Sequence, residues 1–421
     1  MEHHLTVLEQ GLRVVNTSMP HTRSVSISIF VNAGSRYEDE DIAGISHFVE
    51  HMLFKGTQQR PTPKEISEAI EGVGGVLNAA TDKELTVYWA KVPSQHFELA
   101  MDVLSDNLLD SKFAPDDIER ERQVILEELS MIYDSPTDLV NMMIDDVVWP
   151  DQPLGRDTAG TRESVAGISR DKLATYMKGR YGPLDTVVAI AGSVTQEQAE
   201  QAAERFFGRW SSLVTGSWFP AIDGQSGPRV SLKTKRTEQA NLCLAVQGLP
   251  SEHPDRYIQD VMNTILGEGM SSRLFLQIRE RLGLAYDVHS YVNHFRDTGS
   301  HVVFAGVDTK KATQTVQAIL GELAKLRDGV PEEELNRAKE SMKGRLQLRL
   351  EDTRAVASWT GAQELLRNSI MTVDEALACI DSITSADIRR VASYLFRKDR
   401  LNLAIVGPYR SEDRFLNILD L

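Results

Sequence analysis

The chain has 421 residues, of which 41 % are hydrophobic and 25 % charged, the balance of a globular protein with room for two or three domains. Its formal charge of −15 has no Lys/Arg cluster to offset it, which argues against a nucleic-acid partner. No apolar run reaches the roughly 18 residues that would span a membrane.

The first eight residues have neither the basic and apolar parts of a signal peptide nor the Arg-rich character of a transit peptide, so a cytoplasmic location is expected. Cys243 and Cys379 each sit in an apolar element and read as reduced core thiols, in keeping with a reducing compartment. A strand is predicted at 24–31.

The segment 43–54 follows, AGISHFVEHMLF, whose apolar residues leave no wholly polar side. That pattern predicts a buried helix. His47 and His51 then stand one turn apart on one face, with Glu50 turned to nearly the same side. Three titratable groups at one buried spot are costly unless paired or bound to a metal. Two imidazoles at this spacing suit Zn2+, and the string is the inverted zinc-protease motif H-x-x-E-H. A third protein ligand is required to complete such a site.

Next, 77–81 (LNAAT) precedes a strand at 85–90, and 81–84 reads as a hairpin turn between them. Small side chains such as Ala79 at a sheet edge would also let another backbone approach. The segment 115–132 opens with acidic residues, as a helix N-terminus prefers. On its wheel Ile118, Ile125, Leu129 and Ile132 form an apolar stripe with Glu121 and Glu128 on its edge, while Glu127 points almost the opposite way. Glu128 is therefore the expected third ligand.

The order of elements then repeats. The strand at 24–31 is answered at 241–246, 87–90 at 302–305, the Pro115 helix start by Pro331, and 186–192 by 401–407. Between the halves, 215–228 is rich in Gly and Pro, a linker composition. The expected domains are 1–213, a linker at 214–230, and 231–421, each half of α+β type. Overlaying the halves puts Asp260, Asn263 and Thr264 at the places of His47, Glu50 and His51, and Gly344 or Arg345 near that of Glu128. The second half lacks a ligand set, so one zinc per chain is expected. Gly267 to Met270 read as a helix C-cap and turn.

His47, Glu50 and His51, followed by Glu128, resemble the zinc signature of the pitrilysin/insulinase family of metallopeptidases, and within it the short-chain branch of the mitochondrial processing peptidase beta subunit and its bacterial relatives. The resemblance implies His47, His51 and Glu128 as zinc ligands, Glu50 as the general base activating the zinc-bound water, and Glu121 as an auxiliary carboxylate behind them. It implies that a substrate adds as an extra β-strand along Asn78 and Ala79. Arg279 and Tyr286 match residues that reach the scissile peptide from the second half, Arg281 being the competing cation. The implied fold is two homologous halves, each a mixed sheet packed with helices, facing each other as a clamshell.

The expected function is that of a zinc-dependent endopeptidase cleaving peptides or unfolded N-terminal segments inside a closed chamber. A homodimer is expected, with a peptide or unfolded polypeptide as substrate and neither nucleic acid nor membrane as partner. The alternatives are a non-catalytic assembly subunit like the respiratory core proteins, or a peptide-binding protein of the same fold.

Overall fold

A computed structural model describes residues 2–211 and 216–421. The expected domain break at 213/214 lies outside the described residues. The chain divides into two compact units, each built on one mixed sheet with helices, which is the α+β architecture expected. Among the described residues no helix is long and apolar enough to cross a membrane.

The first unit's sheet contains β1 (His4–Val7), β2 (Arg13–Ser18), β3 (Ser24–Val31), β4 (Val76–Thr81), β5 (Thr86–Pro93) and β6 (Thr186–Gly192). Their order is β1-β2-β6-β3-β5-β4, antiparallel except for the parallel pair β2 and β6. The central strands β3 and β6 are almost wholly buried, β6 as a continuous apolar run and β3 with serines alternating with its apolar residues before Phe30. Strand β4 is an edge strand whose residues alternate between exposed and half-buried. On β4 alone, one side thus meets the core while the other side is exposed.

The second sheet comprises β7 (Arg229–Thr234), β8 (Gln239–Gly248), β9 (Ala285–His294), β10 (Gly299–Asp308) and β11 (Asn402–Gly407), in the order β7-β11-β8-β10-β9. Strand for strand this repeats β2-β6-β3-β5-β4, including the single parallel pair. The repeat read from the sequence is therefore a repeat of topology. Among the described residues, only β1 has no counterpart.

The units do not follow the expected division at 213 and 231. The first consists of Met1–Leu129, Asp157–Phe219 and Gln347–Val373, and the second of Ser130–Arg156, Pro220–Leu346 and Asp374–Leu421. Each sheet has two faces to cover, and for one of them it takes a helix from the other half of the chain. The helix Pro136–Val148 buries Leu139, Val140, Ile144, Val147 and Val148 in a cluster with Cys243, Ala245, Ala404 and Val406 of the second sheet. At about 1.5–3 kcal/mol for each fully buried aliphatic side chain, this apolar face is a major anchor of that unit.

The reciprocal helix, Thr353–Arg367, lies on β3 and β6 by different chemistry. Thr353 hydrogen-bonds Ser26 at 2.9 Å, and a Cβ on Gly361 would come within 2.3 Å of the Phe30 ring. Small and hydroxyl side chains let this helix sit close to the sheet.

Cys243 is buried, but Cys379 is only partly so, and both are free. Cys379 is thus not the core thiol expected, because its helix Val373–Ser382 turns only Ala376 and Ile380 fully inward.

Candidate metal centre

The helix Ile45–Met52 packs against the first sheet with Ile45, Phe48, Val49 and Met52 buried in the core. That packing leaves His47, Glu50 and His51 along its remaining, partly exposed side. Gly44 opens the helix at φ 90°, where a Cβ would meet the carbonyl oxygen of Ala159 at 2.4 Å. Only glycine suits both that backbone and that approach.

No side chain at position 44 can cap the helix, and Glu38 does so from a distance. Its buried carboxylate accepts from the backbone N–H groups of Gly44 at 2.7 Å and Ser46 at 2.8 Å. A negative charge at a helix N-terminus is favourable in two ways, by satisfying orphan donors and by opposing the macrodipole. The Ser46 hydroxyl further hydrogen-bonds the Tyr176 phenol at 2.6 Å, so the helix bearing the histidines is pinned at its start.

The helix Pro115–Asp134 supplies the carboxylates. Ile118, Glu121, Ile125 and Leu129 are its buried residues, Glu128 is half-buried and Glu127 is exposed. Ligand atoms of His47, His51 and Glu128 all lie within 4.8 Å of one another, the one group of this kind among the described residues. The His47 and His51 Nε2 atoms are 3.2 Å apart, and Glu128 Oε2 lies 3.7 Å from the first and 3.6 Å from the second. A tetrahedral ion with ligand bonds of about 2.0–2.1 Å would hold its ligand atoms roughly 3.4 Å apart. The three distances therefore fit the spacing such an ion would require of three protein ligands. Two imidazoles and a carboxylate are also a donor set that zinc prefers.

Burial and the neighbouring His51 push His47 down to about 4, so its ring is neutral at ordinary pH and can offer a lone pair. Behind His51, its Nδ1 lies 3.0 Å from Glu121 Oε2, and the other oxygen of Glu121 pairs with Lys55 at 2.7 Å. Burial opposes the charge on Glu121, but the hydrogen bonds to His51 and Lys55 outweigh it and hold this carboxyl below its usual range. Such a carboxylate fixes the tautomer, leaving Nε2 of His51 free for a metal.

Glu50 does not join the three-atom group. Burial raises its pKa, against hydrogen bonds from Thr81 on β4 that favour the charged form. Asn78 is exposed on the same edge strand, with its side-chain oxygen accepting from the Ala79 N–H at 2.8 Å. Position-specific reading of the sequence missed Glu38 and Lys55, and it read Thr81 only as part of a turn or edge motif. An acidic residue six positions before Gly44 matches no local capping pattern, so nothing in the sequence signals it.

Arg279 and Tyr286 belong to the second unit. The Arg279 guanidinium lies 4.7 Å from the centre of the Tyr286 ring and 4.8 Å from that of Phe275, while Tyr286 itself is 76 % exposed. Arg279 stands in a π-helical segment, Phe275–Arg281, and Tyr286 on β9, the counterpart of β4. In the second unit the place equivalent to the histidines is filled differently. Glu268 accepts from Asn263 and Thr264, each at 2.9 Å, and pairs with Arg345, whose guanidinium also donates to Thr264. A fixed cation on a side chain stands there in place of a ligand set. Gly267 ends the helix Arg256–Gly267, and Gly269 beyond it has φ 81°, the turn expected.

Residues 13–162 match the family model described as Insulinase (Peptidase family M16), and 167–342 match that of the Peptidase M16 inactive domain. The chain belongs to peptidase family M16. An uncharacterized zinc protease of Bacillus subtilis, YmxG, is 37 % identical to this M16 chain over 403 residues, covering 95 % of it and 97 % of the relative. An uncharacterized zinc protease of Mycobacterium leprae is 38 % identical over 415 residues, covering 97 % of this chain and 92 % of the relative.

The same fold is found in a protease from Helicobacter pylori, with a TM-score of 0.91 at 22 % identity, covering 97 % of this chain and 99 % of that one. It is found also in a chain of complex III2 from Candida albicans, with a TM-score of 0.83 at 20 % identity, covering 99 % and 100 % of the two chains.

Proposed function

We propose that this M16 chain is a zinc-dependent endopeptidase that cleaves peptides or unfolded N-terminal segments. The observation that carries the proposal is the convergence of His47, His51 and Glu128 in zinc-like geometry, with Glu50 one turn from His47 on the same helix. When bound, zinc supplies a Lewis acid for the scissile carbonyl. Glu50 accepts a proton from the attacking water and returns it to the leaving amine, and its buried setting raises its basicity for that task. Strand β4 offers its free edge at Asn78 and Ala79 to an extended substrate, whose backbone pairs as one more strand.

On the family resemblance alone, Arg279 and Tyr286 are proposed to hold the substrate carbonyl and the developing oxyanion. Enclosure of the peptide in a chamber, assembly as a homodimer, and kinship with the processing-peptidase branch are proposed on the family resemblance alone.

The test compares wild type with Glu50→Gln for bound zinc and for cleavage of a peptide library read by mass spectrometry. The proposal expects one zinc per chain in both proteins and cleavage by wild type only. Zinc-free wild type, or equal cleavage by the two proteins, overturns it. The fold shared with a complex III2 chain favours a second reading, a non-catalytic assembly subunit. That reading expects no cleavage by wild type at any zinc content.

A further inference from the structure

Strand β4 does more than present an edge. Its alternation turns Leu77, Ala79 and Thr81 to one side, and Leu77 and Ala79 pack against the core beside the histidine helix. Thr81 ends that row. Its hydroxyl donates to Oε2 of Glu50, thirty-one residues away in the chain, and its backbone N–H favours the same carboxylate.

The direction of that hydrogen bond is set by the carboxylate, whose oxygens can only accept. Thr86 stands directly across the ladder from Thr81, and its buried hydroxyl donates to the Ala33 carbonyl oxygen at 2.9 Å, with Thr81 Oγ1 only at 3.4 Å. A hydroxyl has one proton to give. Thr81 gives its proton to Glu50, and Thr86 pairs with it across the ladder.

A glutamate side chain has three rotatable bonds, and nothing else on its own helix holds the Glu50 carboxylate. We propose that Thr81 is the positioning residue of the proposed general base: it fixes the Glu50 carboxylate and ties it to the edge strand along which the substrate would pair. This rests on the peptidase reading for its catalytic consequence, while the positioning itself belongs to the chain alone. One unit of structure then sets both the substrate's line and the direction of the proton acceptor. A base held within about 0.5 Å of its productive place acts far better than one that wanders.

Thr81→Val keeps the shape and removes the hydroxyl, and Thr81→Ser keeps the hydroxyl and removes a methyl group. In full-length, zinc-loaded protein, Thr81→Val is expected to retain its zinc and its KM within about twofold, while kcat falls roughly 10- to 100-fold. Thr81→Ser is expected to recover most of the lost kcat. A Thr81→Val enzyme with wild-type kcat, a loss that falls wholly on KM, or a Thr81→Ser enzyme as slow as Thr81→Val overturns the proposal.

Crystal structures of zinc-loaded wild type and Thr81→Val supply a readout independent of turnover. The Glu50 carboxylate is expected to leave its place in the variant, and an unmoved carboxylate overturns the assignment. If wild type binds zinc yet cleaves no peptide, the peptidase reading fails, and this structural comparison still decides what Thr81 does.

Discussion

Glu121 accepts at 3.0 Å from the imidazole of His51 and at the same time holds Lys55 at 2.7 Å, so one buried carboxylate orients the histidine from behind. A ligand ring with its second nitrogen fixed enters the metal site already aimed, and that preorganisation appears as affinity. Glu121→Gln, which keeps one acceptor oxygen but loses the charge, is expected to weaken zinc binding roughly 10- to 100-fold without abolishing it. Competition with a chelator of known affinity measures this directly. A variant that binds zinc as tightly as wild type would show that Lys55 and the packing of the helix suffice to aim His51.

The two adjacent glutamates of the Pro115–Asp134 helix give a sharper contrast. Glu128 approaches both histidines to within 3.7 Å, whereas Glu127 is exposed. Glu128→Gln is expected to lose zinc on dialysis, since the site then has two strong ligands in place of three. Glu127→Gln is expected to keep it. Elemental analysis of the two dialysed proteins checks the ranking, and the reverse order would mean that the helix is rotated about its axis.

The same pair shows what was legible in the sequence. Helical periodicity separates Glu128 from Glu127 because residues one apart differ by about 100° around the axis. The i, i+3, i+4 grouping of His47, Glu50 and His51 is legible for the same reason. The twofold repeat was legible because corresponding strands keep their apolar runs. The exchange of the Pro136–Val148 and Thr353–Arg367 helices was not, since an apolar stripe states that a face is buried without stating against what. Nor was the Glu38 cap, which acts across a loop, or the Thr81 contact with Glu50, which depends on a strand and a helix meeting.

The entry to the histidine helix depends on Gly44 and Glu38 together. Gly44→Ala would place a side chain at φ 90° and drive its Cβ to 2.4 Å from the Ala159 carbonyl oxygen. Backbone strain and overpacking together are expected to cost roughly 2–5 kcal/mol, read as a lower midpoint in urea unfolding. Glu38→Ala removes the acceptor for two first-turn amides and is expected to lower both stability and zinc affinity. Glu38→Gln, which can still accept, should lose less. Equal losses in both Glu38 variants would indicate that the charge at the helix end matters more than the hydrogen bonds.

A pH dependence follows from His301 on β10. Both of its ring nitrogens are buried with no partner among the described residues, and the ring lies edge-on to Phe396 with centroids 5.4 Å apart. Burial, with a smaller contribution from His294, pushes it down to about 3 from the usual 6.5. The folded form therefore keeps His301 neutral where the unfolded chain would already bind a proton. By linkage its contribution is fully present above pH 6.5 and is lost as the pH falls from there toward about 3.

Within that window the slope can reach about 1.4 kcal/mol per pH unit, an upper bound if local opening admits water to the ring. His301→Leu removes the titrating group and suits a buried strand position. The thermal midpoint of wild type is expected to fall more steeply than that of His301→Leu between pH 6.5 and 4, and the two curves to run parallel above pH 7. Taking the difference between the two proteins cancels the protonation of His47, which destabilises in the same direction. Parallel curves across the whole range would show that His301 finds a way to ionise in the folded protein, through a water or a shift of the Phe396 ring.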